Sequence, residues 1–397
     1  MLSLDKKVII LAFVIRFGIF IIAPSIANSL EESIEFSTLI TSYKSLKEGL
    51  FLYSSNINPY DGGVVHHQPL LIILYQYFQD FDQLLYSIVD TYIVYYLINI
   101  SAKISSKNET IFFKPWIVGL IYALNPLAIL STLSKSTVLF QNFFIVWTLN
   151  SALNNDVLLT GVGISIASYL SYHPIFLVIP LIKLIHQNNN GQNQKVWLFL
   201  VSAVISLGLL IGSSFYILGQ DWKFIESTYG SVLKFTKIAP NLGLWWYYFT
   251  EMFEFFIPFY NSVFNLYNIS FVLPLTIRLN GIFAFILSWG WLVFSKSYPS
   301  LGDLSLYISL LFLLKPVFPF LRYPVISILL LLHSIILSPI FYHLWIDLGS
   351  GNSNFFYAIT LVYSLGIIST LVDFTWGYLR YEYDSDESNI KLKVTQI

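Results

Sequence analysis

Two adjacent histidines, His66 and His67, close a turn-rich stretch, Asn56-Ile57-Asn58-Pro59-Tyr60-Asp61-Gly62-Gly63, just before an apolar run. Imidazole is the natural acid–base and metal ligand of neutral pH. Sequence neighbours cannot share a helix face as ligands four residues apart do, and no H-x-x-x-H or H-E-x-x-H lies nearby, so no metal site is expected. Upstream stand Glu31, Glu32 and Glu35, any of which could serve as a general base. Glu251 and Glu254, at i,i+3, would share a helix face, either as an acid/base pair or as the wet side of an interfacial helix. The chain contains no Cys, which excludes disulfides, thiolate metal sites and a cysteine nucleophile.

The remaining candidates bind rather than react. Lys135 sits among Ser134, Ser136 and Thr137, a set that fits a phosphate, or simply a snorkelling lysine between polar caps. Asn352 and Asn354 alternate about Ser353 directly before Phe355, Phe356 and Tyr357. Neutral amides suit sugar hydroxyls and phosphate oxygens, and an aromatic wall suits lipid. The competing reading is a helix N-cap at Ser353 or Asn354. Asn241, in Ala239-Pro240-Asn241-Leu242-Gly243, and His66 complete the candidate set.

The elements that must position these residues are set by composition. Of 397 residues, 56% are hydrophobic and 11% charged, against about 25% charged in a soluble domain. The bilayer must be the solvent for most of the chain. Net charge is −1 with no basic block, which excludes a nucleic-acid partner. At about 20 apolar residues per span, the pattern predicts an all-α polytopic protein with about twelve spans, and residues 1–397 form a single membrane domain. The spans lie at roughly 8–28, 83–100, 115–133, 138–153, 157–171, 174–185, 196–218, 253–276, 281–295, 304–320, 325–342 and 355–379. An even count puts both termini in the cytosol. Lys103, Lys107, Lys114, Arg278, Arg322 and Arg380 then fall on the cytosolic side, with a cytosolic tail at 380–397, whereas Lys44, Lys47, Lys135, Lys223, Lys234, Lys237 and Lys296 fall on the other, several in long loops where the positive-inside rule is weakest.

That threading gathers the unusual sequence in lumenal loops at about 29–82, 134–137, 172–173, 219–252, 296–303 and 343–354. Within the first, Ser37 to Glu48 reads as a helix ended by Gly49, and Pro69–Phe78 as an interfacial helix too short to span. Arg16, Asp90 and Asp373 fall inside spans, where they would mark a transport pathway or serve as buried hydrogen-bonding groups.

Taken together, several stretches resemble the phosphatidylinositol-glycan class U (PIG-U) subunit of the glycosylphosphatidylinositol (GPI) transamidase, especially its fungal members. They are EFSTLITSYKSLKEGLFL, NPYDGGVVHHQPLL, ALNPLAILSTLSKST, APNLGLWWYYFTEMFEFF, SYPSLGDLSLY and HLWIDLGSGNSNFFYAITL, in family order from about residue 16 to 382. The resemblance implies a multi-span protein of the endoplasmic reticulum membrane, in a five-component complex whose reactive cysteine lies in a caspase-like partner. It implies recognition of the GPI glycolipid, together with the preprotein's C-terminal attachment signal, and no cofactor. The family also looks like the GT-C mannosyltransferases that build GPI, which carry a D-x-D or similar motif early in the first lumenal loop. Here that region reads EESIEFSTLITSYK, with no D-x-D. The resemblance thus implies a GT-C-like scaffold that holds a glycolipid without catalysing, the active mannosyltransferase being the alternative. Phe355 to Leu361 is also similar to a stretch of fatty-acid elongases, which implies contact with acyl chains.

Overall fold

A computed structural model describes residues 3–106 and 112–385. Lys107 and the tail from 386 onward lie outside the described residues. Among the described residues there are helices and no strands, as the composition requires of a chain whose backbone must satisfy itself in lipid. The protein is an all-α polytopic membrane protein. A helical segment occurs at each of the twelve expected span positions. Five helices are long and apolar enough to cross a membrane by length and composition, or seven if two bent pairs each count as one span.

Where the segments depart from simple spans, the backbone chemistry says why. The first expected span, 8–28, is a 19-residue helix, Leu4–Ile22, followed by Pro24–Leu30 turned through 93°. Pro24 has no N–H to continue the ladder, so the chain turns there. The expected helix Ser37–Glu48 is instead Tyr43–Ser54, and Gly49 lies inside it rather than ending it. A Cβ on Gly49 would stand 2.9 Å from Val65 and 3.1 Å from Ile72, so the glycine is there for close packing against the turn and the next helix, Pro69–Gln76. Glu251 and Glu254 do not share a helix: Trp245–Thr250 ends before them and Phe253 is extended. Both carboxylates are exposed and separated by that bend.

The short helices are sheltered. Gly281–Ser295 has only 15 residues, and most of its side chains are buried among helices Ile257–Arg278, Val178–Asn188, Leu301–Leu311 and Ser353–Asp384. By contrast, helix Asn193–Ile217 buries only Phe199 and Ser214, because a single neighbour, Val157–Leu170, covers most of what it hides.

One buried ion pair ties the first three spans. Arg16 and Asp90 are both fully buried and salt-bridged. Pro126 lacks an N–H, and the Leu127 N–H is donated to the Asn125 side chain, so the carbonyls of Tyr122 and Ala123 lose their ordinary helical donors. Arg16 donates to both, at 3.4 and 2.6 Å, and the Tyr122 hydroxyl donates to Asp90 at 2.6 Å. Asp373 likewise accepts the Arg322 and Tyr323 backbone N–H groups at 2.8 and 3.0 Å, at the start of helix Pro324–Tyr342. These intramembrane charges satisfy backbone groups where helices break or begin, as buried hydrogen-bonding groups do. Asp90→Ala should therefore cost about 3–5 kcal/mol by leaving a buried guanidinium uncompensated. Arg16→Met with Asp90→Leu should be less damaging than Asp90→Ala alone, since it removes the charge but not the need of two carbonyls. Thermal unfolding of the detergent-solubilised protein checks both.

Candidate functional site

Five of the expected lumenal segments meet at one end of the bundle through specific contacts. Thr137 N–H donates to Thr41 O at 3.0 Å, and Leu301 N–H to Glu35 O at 2.8 Å. The turn after Asn56 is pinned at two points: Asn58 donates to Asp221 at 2.7 Å, and Lys223 pairs with Asp61 at 2.7 Å. Tyr298 donates to Lys237 O at 2.6 Å. Tyr247 donates its hydroxyl to Asn354.

Glu31, Glu32, Glu35, Asp61 and Asp82 of the first loop are all engaged. Lys135, held at a left-handed φ of 51°, has its ammonium 2.8 Å from Asp82 and 3.4 Å from Glu31, and 4.7 Å above the Tyr43 ring. Tyr43 donates to Asp82 at 2.5 Å. Burial first, and Asp82 next, push the Tyr43 phenol above its ordinary value, so it stays a donor. The ammonium expected to receive a phosphate is thus already neutralised by two carboxylates. Glu35 is buried and accepts from Ser33 and Ser338 at 2.5 and 2.8 Å. Glu32 is exposed and paired with Lys44. Each of the two histidines donates one ring N–H to a backbone carbonyl, and the buried Nε2 of His66 has no partner. His67 donates to Ser42 O at 2.8 Å and His66 to Ser227 O at 2.6 Å. Burial lowers both from the ordinary imidazole value, His67 to about 4, so both are neutral at pH 7. Among the described residues no cluster of three or more His, Asp or Glu could hold a metal.

Sequence reasoning missed a second buried ion cluster. Lys296 pairs with Asp303 at 2.7 Å and donates to Gln141 at 3.1 Å. Ser300 and Asp303 form a capping box that starts helix Leu301–Leu311. The S-x-x-D spacing announces that cap; nothing local announces the lysine. Lys296, Asp303, Gln141 and His66 line a cavity of only about 30 Å³, room for about one or two waters and not for a sugar.

Among the larger spaces at this end are two whose walls include candidate residues. A groove of about 530 Å³ runs between the first loop and the 239–241 turn, lined by Glu31, Glu32, Glu48, Ser37, Thr38 and Asn241. The Asn241 amide is internal to its own turn, donating to Ala239 O and accepting from Gly243 N–H at 3.0 and 2.7 Å. The second space, about 540 Å³, is walled by Trp245, Tyr248, Phe264, Tyr267, Phe271, Trp291, Tyr357 and Leu361. Its only ionisable lining groups are tyrosines. Trp291 stacks on Phe271 at 3.7 Å, and its indole N–H has no partner. Apolar, aromatic cavities of roughly 300–1,000 Å³ with a few polar groups are the usual ligand sites.

Asn352 and Asn354 stand beside that cavity, on the exposed surface. Asn352, rather than Ser353 or Asn354, is the N-cap of helix Ser353–Asp384, its side-chain oxygen accepting from the N–H of Asn354 and of Phe355 at 3.1 and 3.3 Å. The Asn354 oxygen accepts from Tyr247. Both amides thus use the oxygen inside the protein and keep the N–H₂ group. Of the aromatics that follow, Phe356 is fully buried, Phe355 is exposed and stacked on Phe341 at 6.0 Å, and Tyr357 stacks on Tyr247 at 4.3 Å.

The sequence profile of the GPI transamidase subunit PIG-U family matches residues 10–363. This chain belongs to the PIG-U family. It is 47% identical over 401 residues to the GPI transamidase component GAB1 of Saccharomyces cerevisiae, with 100% of each chain covered. It is 31% identical over 410 residues to the GPI-anchor transamidase component PIGU of Homo sapiens, covering 95% of this chain and 94% of that one. It is also 31% identical over 387 residues to the GAB1 homolog of Schizosaccharomyces pombe, at 94% and 93% coverage. The relatives carry transamidase names, so the mannosyltransferase alternative finds no support. In this PIG-U member the first-loop carboxylates have structural work: Lys135→Asn keeps the left-handed backbone but leaves Glu31 and Asp82 facing each other. It should cost about 3 kcal/mol or more, and adding Asp82→Asn should recover about 0.5–3 kcal/mol of coupling. Thermal unfolding of the four-member cycle gives the answer; strict additivity would mean the cluster is not a unit.

Proposed function

We propose that this chain is a non-catalytic subunit of a GPI transamidase, holding the GPI glycolipid while the bond-forming cysteine sits in a caspase-like partner subunit. The end-to-end match to a transamidase component supports membership of the complex. The absence of any Cys from the sequence fits chemistry done elsewhere. It acts in the endoplasmic reticulum membrane on a GT-C-like scaffold, both termini cytosolic, and the glycolipid meets the preprotein's attachment signal at the lumenal end.

The observation that carries the recognition role is the 540 Å³ aromatic cavity with Tyr357 in its wall and two outward amides beside it. An acyl chain fills the cavity and gains from burial at about 25 cal/mol per Å² of apolar area. The Asn352 and Asn354 N–H₂ groups donate to the lipid phosphate or the first sugars. Phe355 extends the apolar wall towards lipid, and Phe356 anchors it from inside. Lys135, His66 and Asn241 keep the rim in shape: the Lys135 ammonium and the Asn241 amide are already partnered, and His66 holds Ser227 O through Nδ1, its Nε2 having no partner.

The test uses variants that separate cap from ligand. Asn352→Asp retains the capping oxygen and removes the donor, so the helix should stay capped while GPI use falls. Asn352→Ala with Asn354→Ala should lower GPI attachment at limiting GPI roughly 10²-fold, from two lost hydrogen bonds to a charged group. A normal rate in an assembled complex would reduce these residues to a cap. Loss of the double variant from the complex would make the loop an assembly surface instead.

A further inference from the structure

Helix Pro324–Tyr342 is packed on one side only. Ser327, Leu331, Ser334 and Ser338 are buried, and Leu331 sits so close to Gly366 of helix Ser353–Asp384 that an added Cβ would come within 2.8 Å of it. In the span Pro324–Asp347 the apolar window is only 22% buried within the protein. The outward stripe is alkyl, through Leu329, Leu332, Ile336 and Ile340, with one exception. His333 is exposed on that side, at the midpoint of the 19-residue helix. At 1.5 Å per residue it is about 13 Å from either end, close to the middle of a hydrocarbon core about 30 Å thick.

Its chemistry is defined by one bond. Nδ1 meets the Leu329 carbonyl at 2.7 Å, so Nδ1 carries the proton and donates. In that tautomer the ring presents Nε2 as a bare acceptor. Hydrocarbon offers no donor, and an unpaired acceptor there is costly. Ionisable side chains at this depth normally face protein or a water-filled cavity. Helix Asn193–Ile217 makes the contrast: it is even less buried, at 6% of its window, yet Val201, Val204, Ile205, Leu209 and Tyr216 on its outward face include no such group at mid-depth. Lipid satisfies that face and does not satisfy this one.

We propose that the His333 face docks one transmembrane helix of another subunit of the complex, and that this helix sets a hydrogen-bond donor, a Ser, Thr, Asn, Gln, Tyr or Trp side chain, against Nε2. A second copy of this chain is the wrong occupant, because a two-fold axis through the face would oppose two bare acceptors. The proposal rests on the reading of this chain as a transamidase subunit.

A photo-crosslinking amino acid is placed at Leu329 or Ile336, the complex is irradiated in native membranes, and this chain is then purified. The expected product is a light-dependent adduct with one other subunit. Adducts with lipid alone, or an adduct of two copies of this chain, would overturn the docking. If no transamidase subunit co-purifies even without light, the functional reading fails instead; if the complex is intact and only lipid is labelled, the docking alone fails. His333→Leu should lower retention of the crosslinked subunit through detergent washes about three- to tenfold, as loss of one interhelical hydrogen bond predicts. His333→Gln, whose amide oxygen still accepts, should retain it. Equal retention in the Leu variant would refute the donor at Nε2.

Discussion

Every buried cation among the described residues has a carboxylate of the same chain beside it. Arg16 has Asp90, Lys135 has Asp82 and Glu31, and Lys296 has Asp303. In an apolar bundle an unpaired charge costs several kcal/mol, so these pairs fix which segments can be neighbours. Arg16 joins the first, second and third spans through one guanidinium. Lys135 joins the first loop to the turn between two later helices, and Lys296 ties the start of helix Leu301–Leu311 to Gln141. The rest of the architecture hangs on these three knots.

The same pairing bears on the proposed recognition of GPI. Among the described residues, no buried ammonium or guanidinium is without a carboxylate and free to clamp a phosphate. On the proposed reading, polar recognition of a lipid headgroup falls to neutral donors, the amides of Asn352 and Asn354, and the apolar part to rings contributed by four helices. Tyr247 links the two, stacking on Tyr357 and donating to Asn354. A site of this kind is read by shape and hydrogen bonding more than by charge, so its affinity should respond weakly to salt.

Much of this was legible in the sequence because it depends on local composition. Each of the twelve apolar segments falls on helical structure, Pro24 and Pro126 mark where two of them bend, and the Asn-rich turn before Phe355 offered a cap, placed one or two residues late. What the sequence hid is non-local. Gly49 has the look of a terminator until Val65 and Ile72 are folded over it. Lys135 has the look of a phosphate ligand until Glu31 and Asp82, distant in sequence, arrive at its ammonium. Glu251 and Glu254 have helical spacing, but the helix ends at Thr250. The aromatic cavity draws its walls from residues between Leu244 and Leu361, and no window of sequence contains it.

The central claim is that this subunit holds the lipid part of GPI in that aromatic cavity. The direct measurement is labelling of the intact complex with a GPI analogue bearing a photoactivatable group in its acyl chain, followed by mapping of the adducts by mass spectrometry. The account predicts adducts on Tyr248, Phe264, Tyr267, Phe271 or Trp291, competed away by unlabelled GPI. Competable adducts confined to other subunits, or to faces of this chain outside the cavity, would contradict it.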